Sequence, residues 1–493
     1  MSLTSLVQVY LQHETIPARN RHLVLQLALV FMCGVQQLSP GAYFLRKDLY
    51  PSLIQFMDSP STEQFTFEAS LLLVILANFH RSDASKLNPY LKRLEETGQH
   101  ILHKICWATN HALATTIKAY QEIHDESPPS TFKSTVGSVF ESLRPDRALA
   151  TKHIDPPKEL FKDQPIEACV SLFPIYELLC ANAHFPSVLL ESLSRNNNLL
   201  FTSFSLSSYL LTHASSTSSP RSLAYANLCL NWLLILSQNV QVLEALSRPN
   251  SVAIRLCRQR LPFLPPPLPK RLPICALLDC CILWLRHNLH RRLEVHSYIN
   301  CIWTCQQVVY FLAESHTRLE YEWREFWSAI LGLLRFLAAK LDSLYTTGGV
   351  EKLVHETILL LDLCLTESSA FLPSPQALHQ FIYDLVHDCH VLQNQISLLQ
   401  TLAMPVSSKQ TLWSEDPLRI TTSIVEITRF YESKIAASGA RSAVQAMQIV
   451  AREIDQDGLH GLRESRRGAL PKHSNEVFGF ARFACVDSLA LMP

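Results

Sequence analysis

The chain has 493 residues, with 43 Lys and Arg set against 43 Asp and Glu, so its formal net charge is zero. That balance argues against a chain built as a whole to bind nucleic acid or an anionic membrane, and leaves only local patches for such work. Only 12 glycines are present, too few for the positive-φ turns of a sheet protein of this length, and leucine-rich runs of more than ten residues point to helices, so the fold class is all-α.

In chain order, helical periodicity covers residues 20–37, 48–57, 63–80, 99–124, 165–182, 221–247, 273–289, 294–314, 319–344, 350–366, 375–401 and 418–455. Short polar or proline-containing turns join many neighbours. Helix pairs joined in this way cannot bury their apolar stripes alone and must stack, which predicts an armadillo/HEAT-like helical solenoid. No strict repeat of about 40–47 residues recurs, so the solenoid should be irregular. Residues 1–125 read as N-terminal helical repeats and 126–165 as a proline-containing loop with one short helix over 132–143. Residues 166–457 read as a C-terminal armadillo-like domain and 458–493 as a loosely ordered tail. A serine-rich stretch, 214–222, reads as a flexible hinge, and the prolines of 262–273 as an extended, stiff segment.

The opening residues are mixed and polar, without the pattern of a secretory signal. Most of the 14 cysteines fall in apolar helical stretches, where a reduced thiol acts as a small hydrophobe, which suits a reducing cytosol. Two leucine-rich runs, 22–45 and 222–243, have the length to span a bilayer. Gln36, Gln37, Pro40 and Gly41 break the first, and Asn227, Asn231, Ser237, Gln238, Asn239 and Gln241 break the second. Buried helices of a water-soluble protein account better for both, and an integral anchor through 222–243 is the alternative.

Leu319, Trp323, Phe326, Trp327, Ile330, Leu333, Leu334, Leu337 and Leu341 recur at helical spacing and form a wide apolar stripe that must be covered. The residue order over 318–337, read with Phe371-Leu372-Pro373-Ser374-Pro375, resembles the C-terminal region of the armadillo-like helical domain-containing protein 3 family. A second stretch, residues 37–51 followed by 63–69, resembles the middle of the same family. The resemblance spans roughly residues 20–400. It implies a non-catalytic α-helical scaffold peripherally associated with the cytosolic face of Golgi membranes in the secretory pathway. The partners it implies are proteins, a phosphatidylinositol 4-kinase and a small-GTPase exchange factor. It also implies further helices ahead of residue 1.

Independently of that resemblance, the sequence offers one candidate docking surface. Arg255, Arg258, Arg260, Lys270, Arg271, Arg286, Arg291 and Arg292 face a single acid, Asp279, between residues 255 and 292. Such a cluster suits an acidic helix or an anionic membrane, while its plainer reading is a set of solvated helix ends. Within it, Pro266-Pro267-Leu268-Pro269-Lys270-Arg271 has the form that polyproline grooves read, or is a rigid spacer. Cys301 and Cys305 lie one helical turn apart, with Cys275, Cys280, Cys281, His287, His290 and His296 nearby in sequence. No CxxC pair occurs there, so core packing is expected rather than a metal site. Asp384, His387 and His390, an acid and two imidazoles on the helix expected over 375–401, support a remote enzymatic alternative without a visible nucleophile. No GxxxxGK phosphate loop, GxGxxG turn or GxSxG elbow is present. No cofactor and no nucleic-acid partner are expected.

Overall fold

A computed structural model describes residues 3–34, 44, 46–79, 88–124, 155–191, 193, 198–265, 271–290, 293–340, 348–402, 417–461 and 479–492. Among them every regular element is helical. In chain order the first are α1 (Leu3–Gln12), α2 (Ala18–Gly34), α3 (Tyr50–Asp58), α4 (Thr66–Asn78), α5 (Pro89–Glu95), α6 (Gln99–Ile123), α7 (Leu172–Ala181), α8 (Phe185–Glu191), α9 (Leu199–His213), α10 (Pro220–Ser237) and α11 (Val240–Leu246). There follow α12 (Cys275–His287), α13 (Val295–Glu314), α14 (Trp323–Ala339), α15 (Val350–Thr366), α16 (Ser368–Phe371), α17 (Pro375–His387), α18 (Cys389–Leu402), α19 (Pro417–Ser438), α20 (Ala443–Asp457) and α21 (Phe480–Ala490). The fold is all-α and armadillo-like.

The chain forms two compact units. The first gathers residues 1–232, 252–264 and 476–493, and the second gathers 233–251 and 265–475. The boundary expected at 165/166 separates no packed bodies, because 166–232 pack with the N-terminal helices.

In the first unit α4 is the axis. All residues from Ala69 to Ala77 are buried, since this helix is apolar all round and has neighbours on every side, namely α2, α3, α5, α6, α7 and α21. Two asparagines make the corners around it. The Asn88 side-chain amide donates to the carbonyls of Leu76 (2.9 Å), Ala77 (3.0 Å) and Phe79 (3.2 Å), while its Oδ1 accepts from Tyr90 N (2.9 Å). The end of α4 and the start of α5 are thus satisfied by one residue. Asn182 repeats the device on Leu94, Glu95 and Thr97, with Oδ1 accepting from His184 N.

The tail expected to be loose from 458 contains α21, which is packed. Asp487 is buried, accepts two bonds from Arg221 Nε (2.8 and 3.0 Å) and one from the Tyr225 hydroxyl, and Phe480 packs on Phe173 and Tyr225. Sequence reading failed here because what holds the helix lies more than 250 residues away. The expected serine hinge is likewise a packed turn, with Ala214 and Ser216 buried.

In the second unit the expected stripe is covered. Trp323, Phe326, Trp327, Ile330, Leu333, Leu334 and Leu337 are buried along α14, and Trp327 stacks on Phe381 of α17 with ring centroids 4.1 Å apart. The two segments behind the family resemblance meet in space: Leu319 N donates to Phe371 O (2.9 Å), and the Trp323 ring meets Phe371 edge to face at 4.9 Å. Leu341, the corner at residues 37–42, the helix expected over 132–143 and the prolines at 266, 267 and 269 lie outside the described residues.

Three expected long helices are broken. The run 221–247 divides at Gln238 and Asn239, where the Asn239 side chain accepts from Val242 N (3.1 Å) and caps α11. The run 375–401 divides at Asp388, and 418–455 divides near Gly439, whose φ of 67° ends α19. No helix among the described residues is long and apolar enough to cross a membrane, so an anchor through 222–243 finds no support.

Candidate partner-binding surface

The eight basic residues do not form one free surface. Arg271 makes a buried ion pair with Asp279, Nη1 to Oδ2 at 2.7 Å and Nη2 to Oδ1 at 2.9 Å, and the Tyr321 hydroxyl donates to the same carboxylate at 2.9 Å. Burial pushes the Asp279 carboxyl up, and Arg271 and Tyr321 only partly counter it. Arg286 pairs with Glu325 of α14, an acid outside the window in which Asp279 stood alone. Arg260 donates to Thr212 O (2.9 Å) in the first unit. These three are consumed by structure, a correction to the docking expectation. Arg255 and Arg258 are exposed, Arg258 lying over the Phe263 ring. Lys270, Arg291 and Arg292 lie outside the described residues. Lone charge counts mislead here because an arginine's role is set by the partner the fold brings to it.

The enzymatic triplet is also separated. His387 ends α17 and His390 opens α18, both exposed, whereas Asp384 is half-buried and accepts from Gln380 (2.8 Å). The single helix expected to carry all three is two helices.

What the first unit does present is a cleft of about 330 Å3 lined by Glu63, Thr66, His100, His103, Lys104 and Trp107. The period of α6 creates it. Ile101, Leu102, Ile105 and Ala108 are buried, which turns His100, His103, Lys104 and Trp107, at i, i+3, i+4 and i+7, to the other side. Lys104 Nζ donates to Met57 O (3.2 Å) and Asp58 O (3.0 Å) at the end of α3, where a cation is favoured, and to Asp58 Oδ1 (3.2 Å). His100 Nε2 meets the same Oδ1 at 2.7 Å and His103 Nε2 meets Glu191 at 3.0 Å. Hydrogen bonds from Lys104 and then His100 hold the Asp58 carboxyl below its usual range. The polar rim is therefore internally paired, and Trp107 stands beside it 66% exposed. Sequence reading passed over this residue, since an isolated Trp on a helix reads as core; its phase against Ile101 and Ile105 was the available signal.

On α2 the outer face is apolar too, with Leu23, Leu27 and Val30 about half exposed at i, i+4 and i+7.

Residues 271–456 match the family model for "Armadillo-like helical domain-containing protein 3, C-terminal". Similarity extends well beyond that region. Armadillo-like helical domain-containing protein 3 of Danio rerio is 23% identical over 89% of this chain and 70% of its own length. The Homo sapiens protein of the same name is 21% identical over the same shares. A Schizosaccharomyces pombe protein described as a UPF0588 membrane protein is 24% identical over 60% of this chain and 47% of its own length. No solved structure matches. The two segments that meet at Leu319 and Phe371 lie inside the matched region, and over most of its length the chain is similar to armadillo-like helical domain-containing protein 3.

Proposed function

We propose that the chain is a non-catalytic helical scaffold, peripherally associated with the cytosolic face of Golgi membranes, that holds partner proteins of the secretory pathway. A phosphatidylinositol 4-kinase and a small-GTPase exchange factor are the partners that the family resemblance suggests. The observation that carries the scaffold reading is Trp107, a large aromatic left 66% exposed beside a cleft, on a helix whose opposite face is fully packed. Exposed tryptophans of this kind anchor protein interfaces, because the indole brings a large apolar area at small entropic cost and fills a partner pocket. The paired charges around it would form the polar rim. The membrane description of the fission yeast relative suits residence at a membrane, and with no crossing helix among the described residues the attachment would be peripheral.

The test is capture of the kinase and of the exchange factor by the purified chain and by Trp107→Ala. Because Trp107 is exposed, the variant should keep its unfolding midpoint and lose binding by at least about tenfold, as a hot-spot truncation of about 2 kcal/mol does. Unchanged capture of both partners by the variant would remove the cleft from the mechanism, and capture of neither by the parent chain would remove the partner assignment. Carbonate extraction should release the chain from membranes; retention would favour an integral protein.

A further inference from the structure

The second unit contains a group of side chains that scaffolding does not require. Cys281 of α12 faces Cys301 and Cys305 of α13, the latter two one turn apart, and the three sulfurs all lie within 4.8 Å of one another. All three residues are completely buried. The helices approach closely enough for Cys281 Sγ to lie 3.8 Å from Cys301 O, and Cys301 Sγ 3.7 Å from Cys281 O. Thiols packed merely as small hydrophobes have no need to converge on a common centre.

We propose that Cys281, Cys301 and Cys305 form a trigonal three-sulfur site for a soft, monovalent, thiophilic metal ion, Cu(I) by chemistry. Geometry supports three-coordination. A metal equidistant from three sulfurs at about 2.3 Å spaces them about 4 Å apart, so sulfurs already within 4.8 Å need move by less than about 1 Å. Zn(II) is the wrong ion, since structural zinc wants four ligands. Among the described residues no fourth His, Cys, Asp or Glu joins the group. Cys364 of α15, which packs on α13, belongs to the surroundings and not to the ligand set. Soft sulfur donors at low coordination number select Cu(I).

A completely buried site without a cation cannot carry several thiolates. Without the ion the three thiols are protonated; binding is an exchange in which one Cu(I) enters, all three cysteines bind as thiolates, three protons leave to solvent and no electron moves. Since the site is closed, the ion should load as α12 and α13 come together and should exchange slowly afterwards.

The probe is Cu(I) held by excess chelator under strictly reducing, anaerobic conditions. The full chain is unfolded, refolded with the probe, freed of loosely bound copper and counted, beside Cys281→Ala and Cys305→Ala. The parent chain should retain one more copper than either variant, lose it over hours rather than seconds, and gain several degrees in unfolding temperature that the variants do not gain. Folded variants that retain as much copper as the parent would overturn the site. Should the variants not fold, X-ray absorption on the loaded parent chain decides: three sulfurs at about 2.3 Å support the proposal, and any other coordination refutes it. Tighter retention of Zn(II) than of Cu(I) in parallel refolding would overturn the assignment of a three-coordinate, soft-metal site.

Discussion

Replacing Trp327 tests whether α14 is held by the indole as a body or by its polar edge. Trp327 is completely buried, stacks on Phe381 at 4.1 Å and on Trp323 at 5.4 Å, and its indole N–H has no hydrogen-bond partner. A buried Trp removes about 150–250 Å2 from water, worth about 4–6 kcal/mol at ~25 cal/mol/Å2. Truncation to Ala keeps one methyl but leaves a cavity and ends three ring pairs, with Trp323, Phe326 and Phe381, and such changes cost about 3–5 kcal/mol. Against this, Ala also removes a buried, unpartnered donor that already costs the parent chain about 1–3 kcal/mol. Trp327→Ala should therefore cost about 3–4 kcal/mol, and Trp327→Phe, which keeps a ring against Phe381 and loses the N–H, about 1 kcal/mol or less. With a urea slope of about 2–3 kcal/mol/M, the Ala variant should lose about 1–2 M in midpoint. Two compact units need not unfold together, so the midpoint should be read by hydrogen exchange of α14 and α17 peptides. Equal costs for Phe and Ala would show that the N–H is bonded after all, and a near-neutral Ala would show that the stripe is not packed as described.

Burial raises the Glu356 carboxyl above its ordinary value of 4.5, with the bond from Gln306 only partly opposing it. The native state thus holds a proton that the unfolded chain releases, so this group's contribution is present below the ordinary carboxylate range and is lost as pH rises through the folded pKa. Glu356→Gln should raise the unfolding temperature at pH 7 and flatten its decline from about pH 4.5 upward; a steeper decline would contradict the sign. Asn182→Ala should cost about 3 kcal/mol, since three carbonyls lose one donor group, and a cost under about 1 kcal/mol in denaturant titration would reduce the corner to an ordinary turn. Arg271→Glu should cost about 3–5 kcal/mol by leaving Asp279 buried beside a like charge, while Arg258→Glu should stay within about 0.5 kcal/mol. Equal thermal shifts for the two would contradict the separation of paired from exposed arginines.

How much was legible in the sequence depended on whether the stabilising partner was local. The stripe of α14 and the wholly apolar α4 declare themselves within one segment, and the order of residues around Trp323 and Phe371 carried the family resemblance. Helix α9 did not declare itself, because serines and threonines blur its period. In the fold Ser208 donates to Ser205 O (2.6 Å) and Thr212 to Ser208 O (2.7 Å), so the hydroxyls turn inward on their own helix and the outside becomes apolar. Helix α21 needed Arg221 and Tyr225, distant in sequence. The basic region was overread for the matching reason: Asp279 and Glu325 neutralise arginines that composition alone leaves free. The Trp107 cleft required the phase of α6 against its buried face, which composition does not contain.

The seating of α21 also has a consequence in time. The first unit draws its last helix from residues 480–490, and residues 265–475, nearly all of the second unit, are synthesised between it and the rest. At ribosomal rates of about 5–20 residues per second, the groove beside α2 and α4 waits roughly 10–40 s for its final helix, with Arg221 unpaired and the apolar faces of Phe173 and Tyr225 open. During that interval the nascent chain offers a sticky surface that the finished protein lacks. Chaperone dependence and aggregation on overexpression should therefore track how fast the second half of the chain is translated, and supplying α21 in trans as a free peptide should protect a stalled chain.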